Sequence, residues 1–211
     1  MRRNDHDVTD KIRTTDLKQV AGEVQRLYQG LYDGTHSRVG GGTHSRVGGG
    51  TRPRIEGTPS GAMERAFGDI GRLYLGEHPE YRPCDTEYHD IQHVLDVTLA
   101  MARLMDGYER SRNGSPALPA ACFALGVITA LFHDFGYLRK RGDRRRRYGA
   151  EYTLTHVTRG SRHLRGYLPQ VGLKRYAEAV ADAPSRQSLR RALPKTLNKG
   201  VEPYPKDLVI R

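Results

Sequence analysis

Pro116-Ala117-Leu118-Pro119-Ala120-Ala121-Cys122-Phe123-Ala124-Leu125-Gly126-Val127-Ile128-Thr129-Ala130-Leu131-Phe132-His133-Asp134 is the stretch on which the fold turns. It predicts a helix over Pro116 to His133 that is apolar nearly all round, and such a helix belongs at the centre of a helical protein. Its polar end is an adjacent imidazole and carboxylate, His133-Asp134, followed by Phe135 and Gly136, where the chain can turn. Pro119, Gly126 and Thr129 interrupt the apolar run, which is too short to predict a bilayer span.

Working outward, Asp90 to Tyr108 is the strongest helical pattern. Ile91, Val94, Leu95, Leu99, Met101, Ala102, Leu104 and Met105 recur on a broad face, with Gly107 and Asn113-Gly114 at its exit. Upstream, Met63, Phe67, Ile70, Leu73 and Tyr74 mark a helix beginning near Pro59-Ser60. Downstream, Tyr152, Leu154, Val157, Leu164 and Leu168 predict a further helix over Gly149 to Leu168, and a short one is expected over Tyr176 to Ala183. Strand signals are almost absent. The expected fold class is all-α, a helical bundle.

The flanks differ in character. Residues 1–15 read as a disordered polar start, and Asp16 to Leu31 as a helix carrying Leu17, Val20, Val24, Leu27 and Leu31, with Asp16 as N-cap. The octapeptide Gly34-Thr35-His36-Ser37-Arg38-Val39-Gly40-Gly41 repeats at 42–49, inside a linker assigned to 33–60, and a short duplication explains His36 and His44 better than a metal site does. Residues 184–211 carry Pro194, Pro203, Pro205 and many cations without sustained periodicity, a poorly packed basic tail. The expected division is therefore 1–60, an N-terminal helix and linker; 61–175, the helical domain; and 176–211, the tail.

Of the 211 residues 36% are hydrophobic and 28% charged, so a compact core fills only part of the length. Lys and Arg outnumber Asp and Glu 35 to 24, a balance that favours anionic partners: phosphorylated small molecules, nucleic acid or an acidic membrane surface. Cys84 and Cys122 lack CxxC spacing, which argues against a disulfide framework or a cysteine zinc site. The charged start, with no apolar segment, predicts no secretory signal, and a reducing cytoplasm is the expected location.

Tyr88-His89-Asp90-Ile91-Gln92-His93 opens the strongest helix, and His89 and His93 are four apart, one turn on one helix face. Two helices meeting in the core can bring His93 together with His133 and Asp134. Burying a carboxylate among imidazoles costs several kcal/mol, roughly, unless they are paired or hold a cation. A buried divalent metal site, and with it phosphate chemistry, is the expectation.

The segments Tyr88-His89-Asp90-Ile91-Gln92-His93-Val94-Leu95-Asp96-Val97 and Ala130-Leu131-Phe132-His133-Asp134-Phe135-Gly136-Tyr137 resemble the YHNxxHxxxV and HD boxes of the HD superfamily of metal-dependent phosphohydrolases, which includes the cyclic-nucleotide phosphodiesterases. The resemblance spans roughly 60–170. It implies His93, His133 and Asp134 as metal ligands, His89 as the proton donor to the leaving oxygen, and Asp134 as a catalytic group that also orients water. Asp90 stands where Asn is usual in the phosphodiesterase branch. The family's last ligand, an Asp on a late helix, has Asp182 as its possible counterpart, with Asp207 the other candidate, and the tail reads as though the final helices of such a domain had been lost by truncation or an altered reading frame. The implied cofactor is one or more divalent ions, with Mn, Fe, Zn, Ni and Mg all compatible with His and Asp ligands. The implied activity is hydrolysis of a small phosphorylated substrate or nucleotide by metal-activated water.

Beside the HD box, Arg139-Lys140-Arg141-Gly142-Asp143-Arg144-Arg145-Arg146-Arg147 carries a local charge of +6. Arg139, Arg141 and Arg144 are candidate substrate-phosphate ligands; a solvated loop is the alternative. Glu151 and His156 are candidates for supporting the metal-bound water or a second ion, against ordinary surface duty. Two other functions remain open. One is an incomplete HD fold that binds a nucleotide, nucleic acid or protein partner without turnover. The other is a basic nucleic-acid-binding protein, which the lack of interleaved aromatics disfavours. No membrane partner is expected.

Overall fold

The computed structural model describes residues 4–32 and 57–181. These form six α-helices joined by 3-10 turns: α1 (Leu17–Tyr32), α2 (Pro59–Leu75), α3 (Ile91–Ser111), α4 (Ala120–Phe132), α5 (His156–Tyr167) and α6 (Ala177–Ala181). The fold is all-α, and among the described residues β-pairing is confined to two isolated bridges, His6 with Arg13 and Tyr81 with Lys140. The octapeptide repeats with His36 and His44, the candidate ligands Asp182 and Asp207, and the basic tail lie outside the described residues.

α4 is the central helix. Phe123, Ala124, Val127, Ile128, Leu131 and Phe132 are fully buried, packed by α2 and α3. Each of the large side chains contributes about 1.5–3 kcal/mol relative to staying in water. Pro119 ends the entering segment as N-cap, so the helix is shorter than the apolar stretch. By length and composition the 18 residues Ala120–Tyr137 could cross a bilayer, but 72% of them are buried within the protein, the setting of a core helix.

α2 begins with Thr58 as N-cap, its hydroxyl accepting the Gly61 N–H, and Pro59 in the first turn; it ends at Gly76, whose φ of 77° is left-handed. α3 begins with Asp90 as N-cap, its carboxylate accepting the His93 N–H at 2.9 Å. The α3 apolar face is narrower than its pattern suggests. Val94, Leu95, Leu99 and Ala102 are buried, but Leu104 is 71% exposed.

Three expectations change. Residues 4–16 are not a disordered start. Asp7 accepts N–H bonds from Thr9, Lys11 and Ile12, is paired with Arg103 of α3 at 2.7 Å, and is buried. This local clasp has no apolar periodicity to announce it. Second, α1 enters the same hydrophobic cluster as α2–α4 through Val20, Val24, Leu27 and Tyr28. Third, the helix expected over Gly149 to Leu168 is split. Gly149–Tyr152 is a 3-10 turn, Thr153–Thr155 turns again, and α5 starts at His156, leaving Leu154 98% exposed.

Candidate metal centre

α4 stays helical through His133, and the chain leaves the helix at Asp134 (φ −100°, ψ 7°) to enter the 3-10 turn Phe135–Tyr137. This break buries the Asp134 carboxylate while turning it toward the start of α3. Gly136 is required here by close approach. A Cβ at this position would run into the backbone carbonyl of His156, so the glycine seats the start of α5 against the turn.

Three imidazoles converge on one oxygen, Asp134 Oδ2. His89 Nδ1 lies 2.6 Å away, His133 Nε2 3.0 Å and His93 Nε2 3.3 Å. His93 Nε2 and His133 Nε2 are 3.3 Å apart. His89, His93 and Asp134 each offer a ligand atom within 4.8 Å of the others, a group able to hold a metal ion. His133 adds a third nitrogen against the same carboxylate.

His89 reaches the cluster differently from the expected way. It lies in the bend before α3 and does not share a helix face with His93. Its ring stacks on Tyr137 (4.3 Å between centroids, 20° between planes), and Tyr137 stacks in turn on His156 (4.4 Å, 15°). Its carbonyl accepts from Cys84 Sγ at 3.4 Å.

The chemistry of the donors fits a cation. His133 Nδ1 donates to the Ala130 carbonyl at 2.7 Å, and a carbonyl can only accept. A neutral His133 therefore turns the Nε2 lone pair toward Asp134 Oδ2, and two acceptors 3.0 Å apart need a proton or a metal ion between them. Without metal a proton serves. Burial opposes charge on His133, but the hydrogen bond it donates to Asp134, its bond to the Ala130 carbonyl and the Asp134 charge outweigh it and raise its pKa. Burial likewise opposes charge on Asp134, but hydrogen bonds and charge from His133 and His89 win, lowering its pKa to about 2. The carboxylate is ionised at neutral pH, as a ligand must be.

The other candidates go elsewhere. His156 borders the cluster through the Tyr137 stack, with Nδ1 donating to the Thr153 carbonyl at 2.6 Å. Glu151 binds the N–H groups of Arg147 and Tyr148 and pairs with Arg146 at 3.6 Å, so it holds its own turn. Arg139 makes a two-nitrogen contact with Asp85 (2.9 and 2.5 Å), and Arg141 donates to the Gly76 carbonyl at 2.7 Å. Both are thus engaged within the protein, whereas Arg144 is exposed.

Two neighbours were not legible as site residues. The Tyr74 hydroxyl is buried and has no hydrogen-bond partner among the described residues; after burial, the charges of Cys84, Asp134 and Asp90 raise its pKa further. In the sequence it was one apolar position among five on α2. In the sequence Tyr137 closes the HD box, and its place between two imidazoles depends on the 3-10 turn.

No family model matches the chain, and no curated protein or solved structure matches it. Fold and cluster together define a helical protein with a His/His/Asp group suited to a metal ion, compatible with an HD-like fold.

Proposed function

We propose that this chain is an HD-superfamily metal-dependent phosphohydrolase acting on a small phosphate ester or nucleotide. The observation that carries this proposal is the convergence of His89, His93 and His133 on Asp134 Oδ2, from two helix ends distant in sequence. His93, His133 and Asp134 would hold a divalent ion (Mn, Fe, Zn, Ni or Mg), with His89 near enough to join them. When bound, such an ion supplies Lewis acidity, acidifying water and polarising a phosphoryl oxygen.

The chain's own groups do the rest. Asp90 fixes the first turn of α3 and with it His93. The Ala130 carbonyl fixes the His133 tautomer. Tyr137 orients the His89 ring, and Asp134 accepts from its Nδ1; Nε2 is then the nitrogen left to face a leaving oxygen, to which the cationic imidazole would give its Nε2 proton. Of the arginines expected to bind phosphate, Arg144 is the one not committed to an internal partner among the described residues.

The test is metal analysis of purified protein together with a screen of phosphomono- and diesters in added Mn2+. Wild type should retain about one or two ions and turn over a substrate, with activity lost in His93→Ala and Asp134→Asn. The single carboxylate of the His89/His93/Asp134 group favours one alternative, an HD-fold protein that holds an ion and binds a nucleotide or partner without hydrolysing it. Stoichiometric metal with no turnover on any ester would select that alternative.

A further inference from the structure

Beyond the imidazole cluster, the segment after the HD box shapes an open groove of about 770 Å³. Six cations and two carboxylates line it. Four of the cations have partners. Arg159 donates to the Gly136 and Leu138 carbonyls (2.7 and 2.6 Å) with its guanidinium 3.6 Å from the Tyr152 ring centroid. Arg141 is bonded to Gly76, while Arg146 and Lys140 face Glu151 and Glu80 at 3.6 and 3.7 Å. Arg144 and Arg145 remain, and among the described residues their guanidinium groups have no partner. Asp143 is occupied by the Arg145 N–H at 2.9 Å and by the Tyr152 hydroxyl, and does not reach across to them.

We propose that this groove binds a linear chain of phosphate groups, with Arg144 and Arg145 as its donors. An excess of four positive charges in one open groove favours an anion carrying several charges over a single phosphate. Guanidinium groups match phosphate oxygens two at a time. Nucleobases are a poorer fit. Tyr152 is the one aromatic among the lining residues, and it is buried with Arg159 over its ring, so the groove itself offers no open aromatic face for stacking. The groove shares Arg144 with the proposed substrate site, but none of its residues belongs to the imidazole cluster, so phosphate-chain binding can be read apart from hydrolysis.

The shared chemistry, a phosphate chain either free or borne by a nucleotide, is tested by titration calorimetry on metal-stripped protein. Orthophosphate, tripolyphosphate, ATP and a single-stranded oligonucleotide are compared. Tripolyphosphate and ATP should bind within a few-fold of each other and at least tenfold tighter than orthophosphate, weakening as salt rises. The double variant Arg144→Ala/Arg145→Ala should lose at least tenfold while keeping the wild-type thermal transition, since both residues are exposed. His93→Ala should bind tripolyphosphate as wild type does. The proposal falls if the double variant binds unchanged, if orthophosphate binds equally well, if ATP or the oligonucleotide exceeds tripolyphosphate tenfold, or if His93→Ala abolishes binding. Failure of ester hydrolysis would leave this result untouched.

Discussion

His133 and His163 flank the same turn and meet opposite environments. His133 faces a carboxylate and a carbonyl, and its proton is held more tightly than in water. His163, on α5, lies flat against Phe135 (3.6 Å between centroids, 15°) beside Phe132 and Tyr167, with Nε2 buried and without a hydrogen-bond partner among the described residues. Burial, then the His78 charge, lower its pKa to about 4, with Asp69 opposing and Lys140 adding a little. One residue type thus serves as a ligand candidate where a buried anion faces it and as an aromatic filler where none does.

The largest expected effect removes the joint between the two regions. Gly136→Ala should destabilise the protein by about 3 kcal/mol in urea unfolding, because the obstructing atom is backbone and cannot turn aside. It should also weaken metal binding, since α5 and the Asp134 turn are displaced together. A variant as stable as wild type would mean that α5 is not seated there.

The aromatic side is tested by pH. His163 has a folded pKa below its unfolded value of 6.5, so the neutral form's contribution is complete above 6.5 and is lost as pH falls toward 4. At 1.36 kcal/mol per unit this is about 3 kcal/mol. His163→Phe should flatten the stability profile across that window by most of this amount; an unchanged profile would place the proton elsewhere.

The polar side is tested by metal. Asp134→Asn should weaken Mn2+ or Zn2+ binding at least 100-fold by calorimetry, about 2.8 kcal/mol. In wild type, affinity should climb as pH rises above 6.5 through the raised His133 range, because the ion must displace that proton. Affinity independent of pH would exclude His133 as a ligand. The Asp134 contribution to stability runs in the same direction as that of His163 but in a lower window: present above 3.8 and lost as pH falls toward 2. The smallest effect is expected at the α3 cap. Asp90→Ala should cost about 1 kcal/mol and blunt metal affinity by loosening His93, measured in the same two assays.

Much of the fold was legible, because α1 to α4 bury apolar residues at helical spacing and α4 is apolar on every side. The four residues of the cluster were legible as chemistry, but the manner of their meeting was not. His89 arrives through a bend and an aromatic stack, and such contacts between distant segments leave no periodic trace. The arginine run showed its charge while concealing its commitments, since a guanidinium that binds a backbone carbonyl looks like any other in a sequence. His163 went unnoticed because a histidine on a polar helix face carries no sign of the phenylalanines opposite.

The N-terminal clasp has a practical reach. Gln92, one position ahead of His93, donates to the Asn4 carbonyl at 2.7 Å and lies 3.4 Å from the Thr14 hydroxyl. A version shortened to begin at Leu17 would keep α1 yet release the brace at the mouth of the metal cluster. Purification handles and trimmed variants that disturb the first sixteen residues would therefore alter ion retention before they altered helix content.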